Sequence, residues 1–227
     1  MAFKHELLSF DDIKADMVDG VRFYDTPGGR FPSVTTVIGA YKGDHHLKAW
    51  RDRVGEEEAR KVGGRARVRG TAVHEIAESY LRNRNDWAEG VMPVNLDSFL
   101  SIKNILDTRV GTVYGVEVPL WSDRLCTAGR TDLLAEWDGV PSVIDFKTSL
   151  RVKKEAEIWG YFVQKACYGT MVQERVGFIV PQIVTVMMVD HEPPQIWVKQ
   201  RRSYQEDVMR VFVDAPRGAP LRVKESA

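Results

Sequence analysis

The sequence predicts a mixed α/β fold of the α+β kind, and three observations carry that expectation. A dipeptide of turn chemistry, Asp138-Gly139, stands between two runs of strand-forming residues and supplies the positive φ angles of a tight hairpin. Apolar residues recur at spacings of three and four over 65–81, 97–110 and 153–175, the period of helices packed on one face. Strand-like runs at 112–121, 183–189 and 195–198 complete the order helix, three strands, helix, further strands. At 227 residues, 44% hydrophobic and 28% charged, the chain is long enough for one sizeable core. A single domain over 1–227 is expected, with a helical N-terminal region over 1–64, a core over 65–200 and a C-terminal helix and tail over 201–227.

Taken in order, 21–25 (VRFYD) alternates like a strand and ends at the turn signal Thr26-Pro27-Gly28-Gly29. Phe31-Pro32 then leads into a helix for which Ser33 is a suitable cap, with Thr35 and Thr36 in its first turn. A charged amphipathic helix is expected from Asp44 to about Val62, with Leu47, Trp50 and Val54 on one face and Trp50 as a core anchor. His45-His46 is read as surface, because adjacent residues do not share a helix face. Arg60, Lys61, Arg65, Arg67 and Arg69 place five cations in ten residues around Gly63-Gly64, either as a solvated face or as phosphate contacts.

The helix over 65–81 carries Val73, Ile76, Ala77, Tyr80 and Leu81 on a core face. A second stripe beside it holds Arg67, Gly70, Thr71, His74 and Glu78, while Glu75 reads as surface. From its spacing alone, His74 is either a packed histidine at the core margin or a ligand. After a polar loop over 85–95 and a helix over 97–110, the strand over 112–121 places Glu117 among apolar neighbours. A satisfied cross-strand acid and a site residue are both open for it.

With Asp138 and Gly139 as the loop, Asp132 falls opposite Asp145, and Lys147 shares their face because strand side chains alternate. A four-residue loop ending at Pro141 would shift the pairing by two and keep that parity. Opposed carboxylates repel unless something positive lies between them, which Lys147 or a divalent cation would supply. The alternative is a solvated face with an ordinary Asp–Lys pair. Leu133, Leu134, Ala135, Val143, Ile144 and Phe146 make both strands read as interior, where charges need a reason. On the next helix Tyr161, Gln164 and Tyr168 share a face; such a face is ordinarily core. A last amphipathic helix is expected over 203–213.

Several of these segments resemble one family. GRTDLL followed by DFKTS is similar to the GxxD and DxK motifs of the RecB-like nucleases, within the PD-(D/E)XK superfamily. RGTAVHEIAE resembles that group's RGTxxHxxxE helix, QKACY its QxxxY motif, and PSVTT and Trp159-Gly160-Tyr161 further matching segments. The set is most similar to the mitochondrial genome maintenance exonucleases and their phage-encoded relatives. The resemblance implies an αβββαβ core and a Mg²⁺ or Mn²⁺ ion bound by Asp132, Asp145, His74 and the Phe146 carbonyl, with Glu117 as a further acid. Lys147 would place the attacking water or neutralise developing charge, and Gln164 and Tyr168 would support the site. Backbone contacts to DNA would come from Ser33, Thr35 and Thr36, from Arg67, Arg69 and Thr71, and from Arg130, Thr148 and Tyr161.

The expected activity is metal-dependent exonucleolytic hydrolysis of DNA from single-stranded ends, in phage or cellular replication, recombination or repair. The alternatives are a duplex-processing recombination exonuclease, a structure-specific endonuclease, and a non-catalytic binder of DNA ends. Composition narrows the partners. Two cysteines, Cys126 and Cys167, exclude a four-cysteine iron–sulfur cluster. No apolar run approaches the roughly 20 residues of a membrane span. Balanced charge, 32 basic against 32 acidic residues, argues against indiscriminate coating of nucleic acid. The first twenty residues lack a signal core and are too acidic for a transit peptide, so the cytoplasm of a bacterium or phage-infected host is the expected location.

Overall fold

The hairpin forms as its turn chemistry dictates. In the computed structural model, which describes residues 2–43 and 45–215 (45–47 as backbone only), Asp138 and Gly139 take φ angles of 52° and 77°. They join β5 (Thr127–Trp137) to β6 (Val140–Ser149), with Trp137 opposite Val140. The loop therefore has two residues, not four.

The hairpin is the centre of a five-stranded sheet in the order β4-β5-β6-β7-β8. Its other strands are β4 (Val110–Ser122), β7 (Gln182–Val189) and β8 (Gln195–Gln200). Only β6 and β7 run parallel, as a pair joined through a crossover helix must. That helix, α5 (Trp159–Val176), packs Phe162, Val163 and Met171 on Leu134, Val143 and Ile183. The opposite face is covered by α3 (Glu56–Leu81) and α4 (Pro93–Arg109), whose Val73, Ile76, Phe99 and Leu106 meet Leu133, Ile144 and Val184. Charged strand residues of the hairpin are thus enclosed between two helical layers. The element order is mixed α/β, with α4 intervening between the helix of His74 and the first strand of the sheet.

The N-terminal region is not helical throughout. It begins with an antiparallel sheet of β1 (Lys14–Val18), β2 (Val21–Thr26) and β3 (Gly29–Pro32). The strand over 21–25 is present, and its partner β1 turns through Asp19-Gly20, at φ 50° and 79°. Every residue of β1 is exposed, so no alternation betrayed it. Asp19-Gly20 between Val18 and Val21 carried the same hairpin chemistry as Asp138-Gly139. Next comes α1 (Val34–Lys42), where Ser33 Oγ accepts the Thr36 amide at 3.1 Å as the N-cap.

The helix break expected near Gly63-Gly64 lies at Gly55 instead, whose φ of 86° ends α2 (His45–Val54). Gly63 and Gly64 are internal to α3 and face open space, a loss of about 1 kcal/mol each that the packed length absorbs. Trp50 is half-buried and outside the core, so it is no anchor. The side chains of His45, His46 and Leu47 lie outside the described residues. Helix α4 starts at Pro93, earlier than its apolar pattern, because proline suits a first helical turn. The C-terminal helix starts at Arg201 and changes pitch, from a 3-10 turn through α6 (Gln205–Met209) to a π turn ending at Asp214. Trp159 Nε1 donates to Asp207 Oδ2 at 2.9 Å and ties it to α5. The tail from residue 216 lies outside the described residues. No helix among the described residues is long and apolar enough to cross a membrane.

Candidate active site

The expected pairing of Asp132 with Asp145 does not form. The β5–β6 ladder runs from Trp137–Val140 to Leu133–Ile144 and stops there. Beyond that point Asp145 to Ser149 pair only with β7, and Thr131 to Thr127 only with β4. The two central strands fork, and Asp132 stands in the crotch. Its Oδ2 accepts the Phe146 amide at 2.7 Å, a side chain taking the place of the next ladder bond.

Glu117 accounts for the change of course. Its φ of 55° is left-handed, which is uncommon for a non-glycine residue in a strand. Val116 and Leu133 before the bend pack under α3, whereas Val118 after it packs under α5. The alternation of the β4–β5 pair inverts at this level, so Glu117 and Asp132 leave the regular faces of the sheet. His74 reaches them from α3, with Nδ1 3.5 Å from Asp132 Oδ1. Ligand atoms of His74, Glu117 and Asp132 all lie within 4.8 Å of one another. His74 and Glu117 line a cleft of about 370 Å³ together with Gly70, Thr71, Glu75 and Glu78.

Asp145 is outside that triad and faces two lysines. Its Oδ2 is 2.5 Å from Lys147 Nζ and 3.9 Å from Lys165 Nζ. It is buried, and no donor is aligned on it as a hydrogen bond. Lys147 extends over the Tyr161 ring, 5.2 Å from its centre. Sequence reasoning passed over Lys165. It is fully enclosed and donates to the Tyr161 carbonyl at 2.6 Å. A signal existed: Lys165 stands four residues after Tyr161 and three before Tyr168, on the stripe already singled out.

The electrostatics follow from this crowding. Burial and the neighbouring Asp132 and Glu78 carboxylates push Glu117 up to about 7. Burial works against the Asp132 anion, yet His74 and Lys147 outweigh it and hold its carboxyl below the usual range. Burial would lower both His74 and Lys147, and the acids beside them reverse that and raise both. For Lys165 burial wins, pulling its ammonium down to about 7 against the attraction of Asp145.

These donors suit Mg²⁺ or Mn²⁺. One imidazole and two carboxylates converge, a set with the oxygen donors that these ions prefer. Phe146 contributes its amide to Asp132 and packs its ring edge-on to His74, centres 6.5 Å apart.

The remaining candidates distribute around the fork. Ser33 forms a parallel bridge with Ala128 on the freed edge of β5, and Thr127 Oγ1 donates to the Pro32 carbonyl at 2.9 Å. This docking brings the start of α1 to the fork. Thr35 shares a recess with Tyr161 and Gln164, while Thr36 Oγ1 is 2.7 Å from Ser33 Oγ. Buried Gln164 stands one helical turn before buried Tyr168, whose hydroxyl lies over Gly129 so closely that a Cβ there would sit 2.5 Å from it. Thr71 is at the cleft, and Thr148 faces Gly70. Arg67 is exposed. Arg69 instead pairs with Asp190 and donates to Ser98 Oγ at 3.1 Å. Arg130 pairs with Asp12 and donates to the Glu117 carbonyl at 3.2 Å, bracing the bent residue. Glu78 pairs with Arg82 at 2.9 Å.

No family model matches the chain, and no curated protein matches it. Among solved structures, the chain is similar to a Eubacterium rectale protein described provisionally as an exonuclease, at 13% identity and a TM-score of 0.38, over 63% of this chain and 67% of that one. A likeness of that size leaves the reading of the site to its own geometry.

Proposed function

We propose that the protein is a divalent-metal-dependent DNA exonuclease acting on single-stranded ends. The observation that carries this reading is the pairing, at one strand fork, of a His74–Glu117–Asp132 ligand cluster with the Asp145–Lys147 ion pair. The order α3, α4, β4-β5-β6, α5, β7 would accommodate the αβββαβ core that the motifs imply, with α4 as an insertion before the first strand.

Asp132, His74 and Glu117 would hold Mg²⁺ or Mn²⁺, with Asp145 and the Phe146 carbonyl completing the protein's share. The ion would supply charge neutralisation at a phosphodiester and acidification of water. Lys147, raised above its ordinary range by two carboxylates, is a stable cation and hence a poor base. Its role is electrostatic: it orients the attacking water and offsets charge that develops on the phosphate. Thr71, Thr148 and the exposed Arg67 border the approach and would grip the strand by its phosphates, without reading bases. Thr35 and Tyr161, which line a separate recess, and Thr36 beside them would add further backbone contacts. Water attack that breaks the P–O3′ bond, with the 3′-oxygen as leaving group, would yield 5′-phosphates and 3′-hydroxyls.

Incubation of 5′- and 3′-labelled single- and double-stranded DNA with Mg²⁺, Mn²⁺ or chelator tests the reading. Asp145→Asn and Lys147→Ala should each lower the metal-dependent rate about 10²-fold or more while remaining folded. A folded variant with wild-type turnover would refute the site, and efficient cutting of closed circular DNA would replace exonuclease with endonuclease.

A further inference from the structure

One carboxylate oxygen, Asp145 Oδ2, faces two lysines of unequal freedom. Lys147, at 2.5 Å, has a side chain 20% exposed and so is not walled in. Lys165, at 3.9 Å, is 0% exposed and tethered one helical turn back to the Tyr161 carbonyl. The Tyr161 and Phe162 rings enclose it, centred 5.9 and 5.8 Å from its Nζ. An apolar side chain of the same length would fill this space without the cost of desolvating an ammonium group. The position is therefore poorly explained by packing. It is well explained by the charge that Asp145 would lack whenever Lys147 departs.

Resting on the nuclease reading of this site, we propose that Lys165 is a positioning residue: it holds the Asp145 carboxylate in place, so that Lys147 is free to leave it for the phosphate or the attacking water. Lys165 itself touches neither. Without it, Lys147 is the one ammonium group among the described residues left paired with this buried carboxylate, and it is held there more tightly whatever share of the charge the metal takes. The loss therefore falls on turnover rather than on substrate binding.

Two measurements test this, one of which needs no activity. In metal-free protein at about pH 6, below the Lys165 value of about 7, Lys147→Met and Lys165→Met each leave Asp145 one of these two ammonium partners, and the double variant leaves neither. The double variant should melt lower than the sum of the singles predicts, by more than about 4 °C. In the active enzyme, Lys165→Met should lower kcat about 10–100-fold with single-strand Kd and KM within about twofold of wild type. Lys165→Gln keeps a donor for the Tyr161 carbonyl and serves as the comparison if the Met variant does not fold; it should show the same kcat loss. Additive melting losses, or wild-type kcat in the Lys165 variant, would overturn the proposal. A wild-type protein that cuts no DNA refutes only the nuclease reading, because the melting cycle still decides whether both lysines hold Asp145.

Discussion

Replacing Glu117 with glutamine should stabilise the metal-free protein at alkaline pH. Burial and the nearby Asp132 and Glu78 carboxylates move the Glu117 acid from 4.5 to about 7, so the folded state binds its proton more tightly than the unfolded chain. Between those values the unfolded state holds fewer protons, and stability falls as pH rises. The penalty is absent below about 4.5, grows through the window and is complete above about 7. At about 1.4 kcal/mol per decade, its ceiling is about 3 kcal/mol. Glu117 is only half-buried, and solvent screening reduces the expected gain to about 1–2 kcal/mol. For a chain of this length that is roughly 2–8 °C in Tm. The assay is thermal melting of wild type and Glu117→Gln in chelator, from pH 4.5 to 8.5 (the amide retaining the left-handed backbone strain in both). The curves should converge at the acid end and separate in favour of the variant above neutrality. Added Mn²⁺ should reverse the order, since the wild-type carboxylate gains a partner that the amide serves poorly. A variant less stable than wild type at pH 8 without metal, or a difference independent of pH, would refute the account of the cluster.

Other perturbations separate the groups around the fork. Arg67→Ala should flatten the salt dependence of single-strand binding by a log–log slope of about 0.7, measured with Asp145→Asn protein. Arg69→Ala should chiefly lower the Tm, because its guanidinium is engaged by Asp190 and Ser98; an unchanged melt with a lost phosphate contact would contradict that. Gly129→Ala puts a Cβ 2.5 Å from the Tyr168 hydroxyl and should cost about 1–3 kcal/mol in urea denaturation, with Tyr168→Phe/Gly129→Ala recovering part of it. Ser33→Ala removes the α1 cap, a loss of about 1 kcal/mol, readable in the same titration.

The local elements were legible in the chain alone, because their causes are local. Asp138-Gly139 set the two-residue hairpin and its register from Trp137–Val140 down to Leu133–Ile144. The apolar stripes on 65–81 and on α5 set which faces those helices bury, and Ser33 was legible as a cap. Asp132, Asp145 and Lys147 were legible as candidates, since charge inside an apolar run demands a partner, while His74 was singled out by the resemblance of its helix to the RGTxxHxxxE motif. What only the tertiary structure decided is where those charges point. Period-two alternation placed Asp132 opposite Asp145, but it assumes a ladder that continues. One left-handed residue, Glu117, inverts β4 and β5, and the Phe146 amide takes Asp132 as its acceptor. The residues that converge are His74, Glu117 and Asp132, and Asp145 faces a lysine pair. Lys165 was hidden for a related reason: on a helix buried nearly all round, sequence shows a lysine but not the carboxylate that a neighbouring strand brings within 3.9 Å of it. Helix breaks misled in the same way, since Gly63-Gly64 can remain helical and Gly55 end a helix according to the backbone angles that long-range packing selects.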